Sequence, residues 1–210
     1  MVSKKKAFQA SPVCFALLLL LPAASPLGRF RKEMRGQRVN IQKFYNTSEP
    51  IWTYYSTEHS KLECKVDTLI EMNATYVKFE AAFSARGSVR LNVTNLGKLE
   101  KWKAEKEFNR GCFNALILSN PGRRPYGYEK LLFQTRDNSC GVFLLGVNDV
   151  AYQWYEMRVK NSTVRRPHWA CVMNFADVTY RRGKERVVYS PKCQKMYNVK
   201  PESGKGQWQE

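Results

Sequence analysis

The 210-residue chain has only two histidines, His59 and His168, and neither sits in a nucleophile or metal motif such as G-x-S-x-G or H-E-x-x-H. Its cysteines form no C-x-x-C pair, which argues against a structural zinc site. The 18 acidic residues are scattered without a catalytic grouping. No apolar run approaches the about 20 residues that a bilayer-spanning helix needs. Internal repeats, low-complexity tracts and interdomain linkers are also missing. Together these absences point away from an enzyme, a metal- or cofactor-dependent protein and a membrane anchor, and toward a protein that works by binding.

The chain starts with an export signal. Lys4 to Lys6 form a positive segment, Val13 to Leu21 an apolar one, and Pro22, Ala23, Ala24 and Ser25 a run of small residues. That order is the pattern of a cleavable signal peptide, 1–25, with Ala24 or Ser25 at the cut. About 185 residues then remain, enough for one domain with a full core. The signal removes three of the 35 basic residues and no acidic one, so the formal charge falls from +17 to +14. Its densest patches are Arg29 to Arg38 and Arg181 to Arg186. Such an excess suits a polyanion or host-protein partner, or simply a basic surface.

Cys14 leaves with the signal, and Cys64, Cys112, Cys140, Cys171 and Cys193 stay. Long gaps between them fit disulfides formed in an oxidising compartment. Five is odd, so one thiol is free or bridges two chains; otherwise a monomer is expected. Four sequons, at Asn46, Asn73, Asn92 and Asn161, agree with export and glycosylation.

Residues 26–45 read as a basic N-terminal segment containing at most a short helix, 46–200 as the folded domain, and 201–210 as a loose tail. Val77, Phe79, Ala81 and Phe83 alternate with more polar neighbours, and so do Val89, Leu91 and Val93; a glycine-containing turn joins the two runs into a hairpin. The sequon at Asn92 lies on the polar side of its run, which places Leu91 and Val93 inward. Further strands are expected near 51–58, 62–72, 113–119, 127–135, 140–147 and 151–159, with a helix over 168–180. Eight short strands in succession predict a mainly β protein, an antiparallel barrel or a sandwich. An eight-stranded barrel has room for one small ligand.

The chain resembles the salivary lipocalins of ticks, the group that includes the histamine-binding proteins. Three features carry the likeness, which runs from about Phe44 to Cys193. The first is Asn46-Thr47-Ser48-Glu49-Pro50-Ile51-Trp52. The second is Cys140-Gly141-Val142, followed by Glu156-Met157-Arg158 and Cys171, and the third is Pro191-Lys192-Cys193-Gln194. The resemblance implies an eight-stranded antiparallel lipocalin-like barrel with a short C-terminal helix. It also implies the pairs Cys64–Cys193 and Cys140–Cys171, with Cys112 left over. The implied function is non-enzymatic sequestration of a small host mediator in evasion of host defence, histamine or another biogenic amine first among them.

Amine-binding members suggest Glu49, Trp52 and Glu156 as ligand contacts. Gly141 replaces their aspartate, Arg158 their aromatic residue, and Leu131 a second acidic residue, so the amine site looks incomplete. Trp154, Glu156 and Arg158 share one strand face by period two. If that face is interior, Arg158 can neutralise Glu156, or serve as counter-ion for an anionic lipid mediator such as a leukotriene. A protein-binding inhibitor of complement or clotting on the same scaffold is the remaining alternative. Cys112 as a catalytic thiol is the weakest reading, since a leftover cysteine in an exported protein is more often a surface thiol.

Overall fold

The structure is a computed structural model that describes residues 38–85, 89–102, 112–148 and 152–197. The signal peptide, most of the basic segment and the C-terminal tail lie outside the described residues. A short helix, α1 (Ile41–Tyr45), precedes eight strands: β1 (Ile51–Ser56), β2 (Glu63–Met72), β3 (Tyr76–Ala85), β4 (Val89–Glu100), β5 (Ala115–Ser119), β6 (Pro125–Gln134), β7 (Cys140–Val147) and β8 (Gln153–Lys160). Helix α2 (Trp169–Thr179), strand β9 (Arg186–Val187) and helix α3 (Cys193–Tyr197) complete the order. Each strand pairs antiparallel with the next, and β1 pairs with both β8 and β2, closing the barrel. Closure removes the exposed edges that an open sheet would present.

The expected strands are all present, with shifted ends. β4 runs six residues past the expected limit, because Asn95, Gly97 and Leu99 continue the buried alternation. Its earlier residues show a limit of pattern reading. Val93 pairs with Ala81 and Leu91 with Phe83, on the face that carries buried Phe79 and Val77, as the alternation implies. Yet Leu91 and Val93 are 36% and 37% exposed. Strand β9 and α3 were not anticipated. The β9 segment bridges β1 and β2 where they stop pairing: Val188 N donates to Tyr54 O (3.0 Å), and Cys64 N donates to Val188 O (2.9 Å).

Two separate cores follow from the alternation. Inside the barrel, Ile51, Phe79, Leu116, Leu131 and Phe143 gather around α1. Asn40 caps that helix by accepting from Lys43 N at 3.0 Å, and Phe44 meets the Phe143 ring edge-on at 5.1 Å. Helix α1 thus plugs one end of the barrel. Outside, α2 lays Ala170, Cys171 and Phe175 against Val142, Met157 and Val159. His168 caps α2, its Nδ1 accepting from Ala170 N at 3.2 Å. Disulfides Cys64–Cys193 and Cys140–Cys171, the pairs implied by the resemblance, cross-link this outer layer, and Cys112 carries a free thiol.

Candidate ligand site

The inward face of the barrel carries charge at mid-height. Strand β8 has Trp154, Glu156 and Arg158 on one face by its period of two, and β2 places Lys65 and Asp67 opposite. Strand β6 adds Glu129, and α1 adds Tyr45. Arg158 has no solvent exposure and is the hub. Its Nη2 donates to Glu129 Oε1 at 2.6 Å and lies 2.7 Å from Glu156 Oε2, and its Nη1 donates to Glu129 Oε2 (2.9 Å) and the Tyr45 hydroxyl oxygen (2.6 Å). Its Nε donates to Glu156 Oε2 at 2.8 Å, and its guanidinium lies 4.7 Å from the Phe143 ring centroid. The Tyr45 hydroxyl in turn donates to Glu129 Oε2 at 2.8 Å.

Glu156, equally buried, accepts on Oε1 from Lys65 Nζ (2.7 Å) and Trp154 Nε1 (3.1 Å). Burial alone would raise its carboxyl, but Lys65 and Arg158 hold it down to about 2. Asp67 has the opposite balance. Its Oδ2 lies 3.2 Å from Arg158 Nη1, an ion contact not aligned as a hydrogen bond, and neither oxygen accepts one. Burial pushes its pKa up to about 6, with Arg158 and Lys65 opposing only part of the rise. Five charged groups therefore meet here, three carboxylates against two cations. The excess is one negative charge once Asp67 ionises.

Of the residues expected to touch a ligand, the structure brings together Trp154, Glu156 and Arg158. Trp52 is excluded from the barrel interior. It points outward from β1, packs edge-on against Tyr189 at 5.1 Å, and donates from Nε1 to Asn161 Oδ1 at 2.9 Å. The bulge in β1 comes after Trp52, so period two fixes Ile51 inside and Trp52 outside. Glu49 also lies apart from the cluster: its Oε2 accepts from Ser162 N at 2.7 Å in the turn after β8. Trp52 is thus part of the outer core, and Glu49 clasps the turn after β8.

Gly141 does face inward. A Cβ there would lie 2.9 Å from Leu131 Cδ1 and 3.0 Å from the rings of Phe143 and Phe44, so the plug helix occupies the room an aspartate would need. Sequence reasoning missed Lys65, Asp67, Glu129 and Tyr45. A signal was available for the first two, charges on alternate positions between the apolar outward-facing Cys64 and Val66 of β2. Glu129 lies two residues before Leu131, where the missing acid was sought. Among the sequons, Asn46 and Asn73 are exposed, while Asn92 and Asn161 are half-buried. Asn92 donates to Glu80 Oε1 at 3.2 Å, and Asn161 accepts from Gln194 Nε2 at 2.8 Å besides Trp52.

Neither a family model nor a curated protein matches the sequence. Among solved structures, the crystal structure of AM182 in complex with serotonin is similar, with a TM-score of 0.55 and 16% identity over 75% of this chain and 94% of that one. The barrel has the lipocalin fold. Japanin from Rhipicephalus appendiculatus, bound to cholesterol, also matches, at TM-score 0.46 and 9% identity over 70% of this chain and 96% of that one. The siderocalin Ex-FABP matches at 0.49 and 7% identity, over 68% and 89%. At these identities the likeness is one of fold. No helix among the described residues is long and apolar enough to cross a membrane.

Proposed function

We propose that this lipocalin-fold chain is an exported, non-enzymatic scavenger that takes up a small organic cation, a biogenic amine of the histamine or serotonin type, in its barrel. The observation that carries this reading is the Asp67 carboxylate: it is buried, touches Arg158 without accepting a hydrogen bond, and belongs to a cluster with more acid than base. A buried anion without a hydrogen-bond partner is costly, and an entering ammonium would relieve that cost. Trp154, stacked on Tyr152 with ring centroids 5.5 Å apart, offers an aromatic wall for the ligand's body. Glu129 and Asp67 make up the acidity that Gly141 and Arg158 seemed to remove. The serotonin bound to AM182 makes that amine the first to try.

An anionic lipid mediator finds less support. Arg158, the counter-ion it would need, already faces Glu129, Glu156 and Asp67. Titration calorimetry with serotonin, histamine and a leukotriene tests the assignment. One-to-one binding of an amine is expected. Binding of the leukotriene with no heat from either amine would overturn it. Export and glycosylation belong to the same reading, and intact-mass analysis of the protein secreted from eukaryotic cells checks both.

A further inference from the structure

We propose that Lys65 is a built-in competitor for the ligand: its ammonium occupies the place on Glu156 that an incoming amine takes, and binding drives it out to solvent. The inference rests on the amine reading above. Glu156 offers two oxygens with different commitments. Oε2 is held by the Arg158 fork, at 2.8 Å from Nε and 2.7 Å from Nη2. Oε1 is held by Lys65 Nζ at 2.7 Å and by the Trp154 indole at 3.1 Å. A lysine is a flexible stem with a point charge, whereas the guanidinium of Arg158 is a rigid fork engaged by several acceptors. Only the first can be exchanged one-for-one with an alkylammonium ligand, which carries the same head group on a similar stem.

Exposure gives the direction of exchange. Arg158 and Glu156 side chains are fully buried, while that of Lys65 is 18% exposed, so Lys65 has a route to water by swinging its stem outward. Oε1 already accepts two hydrogen bonds, from Lys65 and Trp154, and a second ammonium there would be repelled by the first, so the ligand's head group takes the place of Lys65. Lys65 and Asp67 share the inward face of β2, so the exchange leaves the net charge of the cluster unchanged but sets the ligand's ammonium on the same face as a carboxylate that accepts no hydrogen bond. The released place is bounded by Trp154, which supplies the ring wall. Lys65 thus keeps the empty barrel close to charge balance and sets a threshold that weakly binding cations fail to pass.

Serotonin titrations of wild type, Lys65→Met and Lys65→Arg provide the test. Removing the competitor should tighten binding at least tenfold in Lys65→Met, while Lys65→Arg, which keeps a cation on Glu156, should not tighten it. Equal or weaker binding by Lys65→Met would overturn the inference even if wild type binds serotonin well. No amine binding by any of the three would instead sink the amine reading itself, and this inference with it. A second measurement uses the unaltered chain. Lysine-selective nitrogen-15 spectra should show one ammonium protected from water in the free protein and losing protection on saturation with serotonin. Protection that persists in the complex would contradict displacement.

Discussion

On the outer face of β1, β7 and β8, Val142, Met157 and Val159 pack beneath α2 and Trp52 packs against Tyr189 and Tyr197, in one apolar layer that both disulfides cross-link. On the inner face of the same strands, Thr53, Phe143, Glu156 and Arg158 line an interior whose middle is ionic. In most small barrels the interior is the obvious store of stability. Here the two roles have separated. Cross-linked hydrocarbon outside, with the apolar plug around α1 at one end of the interior, carries the fold, which leaves the middle of the barrel free to hold charges whose burial costs energy.

The largest effect is expected in the outer layer. Replacing Cys64 and Cys193 by alanine opens a loop spanning 129 positions and should cost roughly 5 kcal/mol by loop entropy. Urea unfolding would show it, and serotonin affinity measured well below the unfolding midpoint should change little. Trp52→Ala should cost about 3–5 kcal/mol as a large-to-small core change, again sparing affinity. Trp154→Ala is its counterpart: affinity should fall about tenfold while stability moves by less than about 1 kcal/mol. Equal effects of the two tryptophans on binding would erase the distinction between inner and outer walls. Arg158→Met crosses the boundary. It strands three buried carboxylates, so both stability, by about 3–5 kcal/mol, and the ordered interior should be lost together.

The smallest effect has the most diagnostic sign. A carboxyl raised from 3.8 to about 6 binds its proton more tightly in the folded than in the unfolded state. Ionising Asp67 therefore destabilises the fold as pH rises from 3.8 through 6, by up to about 3 kcal/mol once complete. Glu156, held down to about 2, acts in the other direction and loses its contribution as pH falls from 4.5 toward 2. Unliganded wild type should thus be most stable near pH 4, between 3.8 and 4.5, where the two opposed slopes cancel. Asp67→Asn should be the more stable protein above pH 6, with the advantage vanishing toward pH 4. Thermal melts across that range would reveal it.

The strands, the outer helix and the barrel were legible because alternation and turn residues are local. What was lost was the relation between faces. A motif places Trp52 and Glu49 near a first strand, but only the register of β1 against β8 determines that Trp52 points away from the ligand space. The partners of Arg158 come from α1, β2, β6 and β8, segments far apart in sequence, and no spacing links Tyr45 with Glu129 across 84 positions. Gly141 could be read as a missing aspartate; that the space belongs to Phe44 and Leu131 is a fact of packing.

Whether the ionic interior is a cation site completed by Asp67 can be read from serotonin titrations of wild type and Asp67→Asn between pH 5 and pH 8. Wild-type affinity should be level above pH 6 and fall about tenfold per pH unit below it, as the carboxylate takes its proton. Asp67→Asn should bind at least tenfold more weakly and without that slope. A wild type whose affinity is flat across the range, or an Asp67→Asn protein that binds as tightly, would contradict the account.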